Sequence, residues 1–204
     1  MDNLHNAFDR TGLATLTSID EFTAGLRAIP AQRFEGTIVY NYVRDNPVDE
    51  ASLRPYLFFS RRGYTRNLIF KNDLFELMAL CWDVGQASRI HNHYNQSCWM
   101  SMPIGKLRVQ NFRVVDEDMQ TGYCRIERTE AFDINQLLPA EVDSSEPVHQ
   151  VVNLPEFNQR AASLHIYSRP FDRCLIYSQS KNRCSEVQLH YTSEYGRLCA
   201  GIEL

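Results

Sequence analysis

The sequence predicts a mainly β protein in which a small N-terminal helical cap precedes an antiparallel β-barrel. Helical spacing of apolar residues is clearest in residues 17–29, whereas from Gly63 onward the apolar residues form short β-rich runs separated by Gly, Pro, Asn and Ser. Many short strands with turn residues between them are typical of a sandwich or barrel. A chain of 204 residues can bury one sizeable core. We therefore expect a single domain, with the cap over about residues 1–55 and the barrel over about 56–204.

Two helices are predicted in the cap. In "TSIDEFTAGLRAI", Ser18 and Glu21 have the spacing of a capping box. Four apolar residues of this segment recur on one helical face: Ile19, Phe22, Leu26 and Ile29. In "DNPVDEASLRPYL", an Asn-Pro pair followed by Asp49 and Glu50 indicates the start of a second, short helix with both acidic residues in its first turn.

Six β-rich runs after Gly63 are predicted strands. They read "YTRNLIF", "LFELMALCW", "KLRVQNFRVV", "AASLHIYS", "RCLIYS" and "EVQLHYTS". No internal repeat, low-complexity tract or linker separates them. The barrel is therefore expected to occupy the rest of the chain.

Composition and charge restrict the partners of the protein. A formal net charge of −4 and the lack of a basic stripe argue against nucleic-acid binding. No apolar run approaches the ~18 residues of a membrane span, and the N-terminal segment "MDNLHNAFDRTG" lacks the apolar core of a signal peptide. We therefore expect a cytoplasmic protein that acts on a small molecule, without a membrane or nucleic-acid partner.

The cysteines are scattered without paired spacing, which argues against a disulfide framework and favours reduced thiols in a cytosol. The six positions are Cys81, Cys98, Cys124, Cys174, Cys184 and Cys199. Five of them give no further functional signal, and Cys98 is the exception.

In "RIHNH", His91 and His93 stand two residues apart, which on a strand places both rings on one face. Two imidazoles directed at one point can bind a metal ion. A bare pair of this kind is about as often two polar core or surface histidines, so the surrounding residues decide between the two interpretations.

The frame around this pair resembles the first motif of the cupins. Gly85 stands before the histidines, Cys98 follows five residues after His93, and Gly105 closes the segment. In the cupin motif the position of Cys98 is normally a glutamate that also binds the metal. The resemblance implies a cupin-type β-barrel, also called a jelly roll.

The second cupin motif ends in a histidine followed by an asparagine, and "PVHQVVN" supplies His149 and Asn153 at the corresponding interval. Together the two motifs imply a metal site made of His91, His93 and His149. Two histidines and one carboxylate suit non-haem iron that activates oxygen. Three neutral histidines instead leave the positive charge of the metal to be balanced by the substrate. An anionic thiolate would balance it.

Four separated motifs between Gly63 and Gly196 make a more specific resemblance. They are "YTRNL", "IHNHYNQSC", "VHQVVN" and "SLHIYSRPFDRC", and the sequence resembles the cysteine dioxygenases, iron enzymes of the cupin superfamily. The resemblance implies an Fe(2+) cofactor and oxidation of L-cysteine by O2 to cysteine sulfinic acid. It also implies that Cys98 is the cysteine that forms a thioether bond to an active-site tyrosine, Tyr167. We expect a monomer.

In "SLHIY", Ser163, His165 and Tyr167 alternate with apolar residues, so on a strand the three polar side chains share a face and can form a chain of hydrogen bonds. The resemblance implies that they form the relay beside the iron. Taken singly, Cys98 could be an ordinary buried thiol and Tyr167 a core tyrosine with a satisfied hydroxyl. Their place inside matched motifs favours the functional interpretation.

"RRGYTRNLIF" offers Tyr64 and Arg66, two residues apart and therefore on one strand face. A guanidinium with a phenol donor is a good receptor for a carboxylate, although a solvated strand arginine is the commoner case. The resemblance implies that the pair binds the substrate carboxylate, and that Leu80 and Trp82 line the pocket.

One turn departs from the usual pattern of the family. The sequence has Ser168, Arg169, Pro170 and Phe171 where "Ser-Pro-Pro-Phe" is usual, with a cis Ser-Pro bond. Without the first proline a cis bond would cost about 2.5–4 kcal/mol. The shape of the pocket at this turn is therefore left open.

Two other functions compete with cysteine oxidation. One is a dioxygenase for another small thiol such as 3-mercaptopropionate, but that relative usually lacks both the bridging cysteine and the carboxylate-binding arginine. The other is a non-catalytic metal-binding cupin, which would not need the polar face of Ser163, His165 and Tyr167. Cysteine dioxygenase activity is therefore the favoured prediction.

Overall fold

The computed structural model describes residues 15–136, 139–142 and 148–204. Its helices precede residue 57, apart from one 3₁₀ turn at Pro155–Phe157. They comprise α1 (Ile19–Ala28), α2 (Gly36–Asp45) and α3 (Glu50–Leu53), with 3₁₀ turns at Ala31–Arg33 and Arg54–Tyr56. No helix in the described part of the chain is long and apolar enough to cross a membrane.

The two predicted helices are confirmed, except that Asp49 is the N-cap of the second helix and only Glu50 lies in its first turn. At the start of α1 the Ser18 hydroxyl accepts from the backbone N–H of Glu21, and the Glu21 carboxylate accepts from the backbone N–H of Ser18, which completes the capping box. Asp49 caps α3 by accepting from the N–H of Ala51. The apolar face of α1 is buried through Ile19, Phe22 and Leu26.

The helix α2 was not predicted. Its sequence, "GTIVYNYVRD", is rich in β-branched and aromatic residues, and its N-cap Glu35 makes no side-chain capping bond. Its stability therefore comes from packing. Val39 and Val43, one turn apart, are buried in the core that the cap shares with the sheet.

The described residues contain thirteen strands. They are β1 (Thr65–Lys71), β2 (Phe75–Trp82), β3 (Ile90–His91), β4 (Cys98–Ile104), β5 (Leu107–Asp118), β6 (Tyr123–Ile134), β7 (Ala140–Glu141), β8 (Val148–Val152), β9 (Ala161–Ser168), β10 (Arg173–Ser178), β11 (Arg183–Gln188), β12 (Ser193–Glu194) and β13 (Arg197–Leu198).

Seven strands form one sheet in the order β13-β12-β1-β2-β9-β4-β7, and the other six close into a barrel in the order β10-β11-β6-β5-β8-β3. The mainly β, cupin-type fold with a small helical N-terminal part is thus confirmed. The strands pair antiparallel with one exception, since β1 and β12 run parallel.

One predicted strand is partly wrong. "EVQLHYTS" was predicted as a single strand, but β11 ends at Gln188 and β12 begins only at Ser193. Residues 189–192 instead cross between the two groups of strands, and their backbone groups bond to residues outside a strand ladder. Leu189 N donates to Asp172 O, and Thr192 N donates to Arg66 O.

The sheet order decides which side chains face the interior. Along β2, Phe75, Leu77 and Ala79 pack into the core shared with the cap, whereas Met78 and Trp82 belong to the core on the opposite face. Neighbouring β9 presents alternate residues to that second face as well. All six cysteines carry free thiols.

Candidate active site

Three histidines converge on one point between β3 and β8. His91, the last residue of β3, stands opposite His149 of β8 in an antiparallel pair, and His93 follows two residues later. The ring centroids are 4.7 Å apart for His91 and His149, 4.8 Å for His93 and His149, and 5.2 Å for His91 and His93. One nitrogen of each ring lies within 4.8 Å of the others, so the triad could hold a metal ion.

The position of His93 differs in detail from the sequence prediction. The strand was expected to carry both histidines, but β3 ends at His91. Asn92 keeps the chain extended beyond it, because its N–H donates to Leu175 O and its side-chain oxygen accepts from Leu175 N. The rings of His91 and His93 therefore still lie close together. The bond between the Asn92 side chain and Leu175 of β10 positions His93 in place of a continued strand.

The electrostatics of the triad suit metal binding. Burial lowers the pKa of His91 to about 4 and that of His93 well below its usual value, so both rings are neutral at pH 7. Nδ1 of His91 lies 2.8 Å from the Arg89 carbonyl oxygen, which can only accept, so the His91 lone pair is on Nε2. Both ring nitrogens of His93 are buried without a hydrogen-bond partner among the described residues, and a bound metal would satisfy one of them.

A second polar group lies on the inner face of β9. Trp82 Nε1 donates to Ser163 Oγ over 3.0 Å, Ser163 Oγ lies 2.9 Å from His165 Nε2, and His165 Nδ1 lies 3.1 Å from the Tyr167 hydroxyl. All four side chains are buried. The alternation in "SLHIY" therefore produces the continuous hydrogen-bonded chain that was predicted, with Trp82 as an additional member.

The partners in this chain determine which His165 nitrogen carries the proton. An indole N–H can only donate, so Ser163 Oγ accepts from Trp82, and its own proton is best placed on His165 Nε2. Burial lowers the pKa of His165 to about 3, so the ring is neutral and its single proton is on Nδ1. Nδ1 then donates to the Tyr167 oxygen, which leaves the phenol proton available to the cavity that Tyr167 lines.

Cys98 lies beside this chain. It stands opposite Tyr167 across the β4 and β9 pair, and its sulfur is 3.9 Å from His165 Nδ1. Burial raises the pKa of the Cys98 thiol, and a hydrogen bond with Tyr167 partly opposes that rise. Burial also raises the pKa of Tyr167 well above its usual value. Both groups are therefore protonated at pH 7.

Tyr64 and Arg66 line the same cavity as His91, His93 and Tyr167, and its volume is about 370 Å³. Nε of Arg66 is buried and has no hydrogen-bond partner among the described residues. An unpaired guanidinium nitrogen in a cavity wall is a receptor that an anion can complete.

Two residues expected in the pocket stand behind its wall. Trp82 stacks on Tyr64 at a centroid distance of 4.4 Å with 12° between the rings, and Leu80 is buried in the same core cluster. Neither is among the described residues that line the cavity. Trp82 therefore supports the lining residue Tyr64 from behind.

Comparison with known proteins identifies the family. A profile described as "Cysteine dioxygenase type I" matches residues 17–180. Human cysteine dioxygenase type 1 is 33% identical over 142 residues, which cover 69% of this chain and 68% of the human protein. The zebrafish (Danio rerio) protein of the same name is 33% identical over 139 residues, which cover 68% and 67%. The chain belongs to the cysteine dioxygenase type I family. As a member it is a thiol dioxygenase and therefore an oxidoreductase.

Similarity to solved structures is more distant. A Thermus thermophilus protein is 15% identical with a TM-score of 0.41, over 57% of this chain and 93% of that one. A sugar phosphate isomerase of the cupin superfamily from Silicibacter pomeroyi is also 15% identical with a TM-score of 0.41, over 62% and 77%.

The turn after β9 is the place where this family member differs from the usual motif. Arg169 adopts a left-handed conformation with φ of 65°, and its N–H donates to Leu74 O over 2.7 Å. No peptide bond in the described part of the chain is cis. The turn then brings Phe171 into the cavity wall, 5.0 Å from the Tyr167 ring between centroids.

Several residues near the site were missed by sequence reasoning. Arg89, Phe171 and Cys174 line the cavity, and Glu76 is fully buried next to it with a bond from Tyr191. The signal for Glu76 was present, because it is the one charged residue in the apolar run "LFELMALCW". Tyr191 gave no such signal, because residues 189–192 were assigned to a strand.

Proposed function

We propose that this thiol dioxygenase converts L-cysteine and O2 to cysteine sulfinic acid, with iron(II) held by His91, His93 and His149. The observation that carries the proposal is that Arg66, whose Nε has no hydrogen-bond partner among the described residues, lines the cavity that His91 and His93 also line. A small molecule with a thiol at one end and a carboxylate at the other matches a metal site and a cationic receptor in one cavity. L-Cysteine is such a molecule.

The donor set supports iron among the metals that imidazole suits. Three neutral histidines contribute no negative charge, so an anionic thiolate is a favourable further ligand. Iron(II) would supply a redox centre at which the substrate sulfur and O2 can react. Both oxygen atoms end on sulfur, R–SH + O2 → R–SO2H, so the electrons come from the thiol and no external reductant is needed.

Arg66 and Tyr64 have the roles of substrate-binding residues in this proposal. The guanidinium fork and the phenol hydroxyl would donate to the substrate carboxylate, which fixes the direction in which the thiol points. Stacking of Tyr64 on Trp82 holds the phenol ring in place. Because Trp82 also donates to Ser163, one indole supports both the carboxylate receptor and the hydrogen-bonded chain of β9.

Ser163, His165 and Tyr167 have the roles of catalytic residues. The orientation of the chain derived above leaves the Tyr167 proton directed toward the cavity, where it can donate to a developing negative charge on oxygen. Cys98 is positioned to join the Tyr167 ring through a thioether, which would fix the orientation of that ring.

The decisive experiment is an anaerobic titration of the apoprotein with iron(II) and L-cysteine, followed by O2 and analysis of the product. We expect cysteine sulfinate in an amount equal to the O2 consumed. Preferential oxidation of 3-mercaptopropionate would reassign the substrate. Absence of any sulfinate from a protein that binds iron would instead indicate a non-catalytic metal-binding cupin. A cytoplasmic location, a monomeric state and a single domain stay predictions from the sequence.

A further inference from the structure

Glu76 is a buried acid that the proposed reaction does not use. It lies on the inner face of β2, is 0% exposed, and stands opposite Tyr167 of β9 on one side and Lys71 of β1 on the other. The Tyr191 hydroxyl donates to its Oε2 atom, whereas Oε1 is buried without a partner among the described residues. A carboxylate with one unsatisfied buried oxygen is costly, so its retention calls for a functional explanation.

The segment that holds Glu76 is also bonded to Arg66. Thr192, the neighbour of Tyr191, donates its N–H to Arg66 O over 2.7 Å and accepts from Arg66 N at its hydroxyl over 3.2 Å. Tyr191 and Thr192 therefore connect Glu76, which the Tyr191 side chain contacts, to the backbone of Arg66, which Thr192 contacts. This connection follows from the crossing of residues 189–192 between the two groups of strands.

The charged and titratable groups around Glu76 come from several elements. Arg66 and Lys71 lie on β1, Cys98 on β4, Tyr167 on β9, and Tyr191 after β11. Lys71 also contacts Tyr191, with 3.2 Å between Nζ and the hydroxyl. Burial raises the pKa of Glu76, while the Tyr191 bond, the positive charges of Arg66 and Lys71, and a backbone interaction with Phe171 act in the opposite direction.

Glu76 acts on Arg66 without touching it. Among the ion pairs of the described residues none involves Arg66, and its Nε has no partner. The guanidinium therefore remains available to an incoming anion. The Glu76 charge acts through the protein interior, where charges are screened far less than at the surface.

We propose that Glu76, held by Tyr191, is a specificity-determining residue that offsets the Arg66 charge and limits how tightly the site holds a carboxylate. The inference rests on the proposed binding of the substrate carboxylate by Arg66. A carboxylate bound at Arg66 repels the Glu76 carboxylate, so binding favours uptake of a proton by Glu76.

The test compares Glu76→Gln with the wild type by anaerobic calorimetry of the iron-loaded enzyme. Glutamine keeps the shape and can still accept from Tyr191, but it removes the charge. The dissociation constant of L-cysteine should fall by at least about tenfold in the variant, because like charges about 12 Å apart produce that factor at an effective dielectric constant of ~20 and closer charges produce more. The dissociation constant of cysteamine, which lacks the carboxylate, should change by less than about twofold. Glu130→Gln is the matched control, because it removes an exposed charge on β6 that does not line the cavity and should change neither dissociation constant.

Proton uptake gives a second readout that a merely structural role would not change. Titrations in two buffers of different ionisation enthalpy should show that wild-type enzyme takes up more protons with L-cysteine than with cysteamine, and that Glu76→Gln abolishes this difference. If Glu76→Gln does not fold, Tyr191→Phe takes its place. Loss of the hydroxyl donor favours protonation of Glu76, so cysteine binding should tighten in the same direction at pH 7.

Two failures can be distinguished. If the wild type forms no sulfinate from cysteine, the proposed function is wrong. A different result would contradict the inference alone. If the wild type oxidises cysteine, but the Glu76 and Tyr191 variants alter the binding of L-cysteine and cysteamine equally or not at all, then Glu76 is a structural residue.

Discussion

Cys98 lies directly opposite Tyr167 in the antiparallel pair of β4 and β9, and both side chains are buried. Opposite residues of such a pair have their side chains in contact. The cysteine sulfur therefore sits beside the phenol ring, which in turn bonds to His165. Cys98, which taken singly could be an ordinary buried thiol, is thus adjacent to the group proposed to donate a proton in the reaction.

This adjacency predicts a cross-link. During aerobic turnover with iron, the Cys98 sulfur should join the Tyr167 ring, with loss of two hydrogens to O2. Peptide mapping should recover a linked peptide pair that is lighter by two hydrogens than the sum of its parts. Complete alkylation of Cys98 after many turnovers, with Tyr167 unmodified, would reduce the cysteine to a packing role.

The two partners should differ in importance. Cys98→Ala removes only the constraint on the ring and should retain measurable activity, whereas Tyr167→Phe removes the hydroxyl and should lose more. The measurement is the rate of sulfinate formation at saturating cysteine. Cys184→Ala is a suitable control, since that buried cysteine belongs to a separate core cluster. Equal losses in the Cys98 and Tyr167 variants would contradict a role for the hydroxyl itself.

Replacing His149 by alanine should remove iron binding and sulfinate formation together. We expect about one iron per chain in the wild type, because three imidazoles at one point form one site. Metal analysis after dialysis gives the stoichiometry. His190→Ala is the matched control, since this exposed histidine lies outside the triad and should keep full iron and activity. Full iron in His149→Ala would show that the second motif was assigned wrongly.

Arg66→Gln should mainly weaken the binding of cysteine. Removing one partner of a desolvated charge pair costs about 2–5 kcal/mol, so kcat/KM for cysteine should fall by roughly thirtyfold or more. The value of kcat/KM for cysteamine should change very little, because cysteamine has no carboxylate. Arg62→Gln serves as control, since Arg62 is exposed and pairs with Glu203. An equal loss for both thiols would mean that Arg66 supports the fold.

Wherever the decisive contacts are local, the structure agrees with the sequence prediction. The capping box of Ser18 and Glu21 predicts the start of α1, because its bonds join residues three apart. The alternation of Ser163, His165 and Tyr167 predicts their common face, because side chains alternate along any strand. The resemblance of four motifs led to the family, which the comparisons show.

Other features depended on segments that are far apart in the chain. The helix α2 forms from residues of poor helical propensity because Val39 and Val43 pack into the core. The segment 189–192 leaves the strand pattern because its partners lie in different places: Asp172 immediately precedes β10, and Arg66 belongs to β1 in the other group of strands.

The sequence by itself determined the helical start of the cap, the β-rich remainder, and which residue types could meet at a metal site and a polar relay. Only the tertiary structure decided that Glu76 would be buried near Arg66 with Tyr191 as its donor. The physical reason is the separation along the chain of the residues that interact. Capping and alternation act between residues a few positions apart, whereas the burial of a charge and the choice of its partner depend on strands that meet only after the whole sheet has formed.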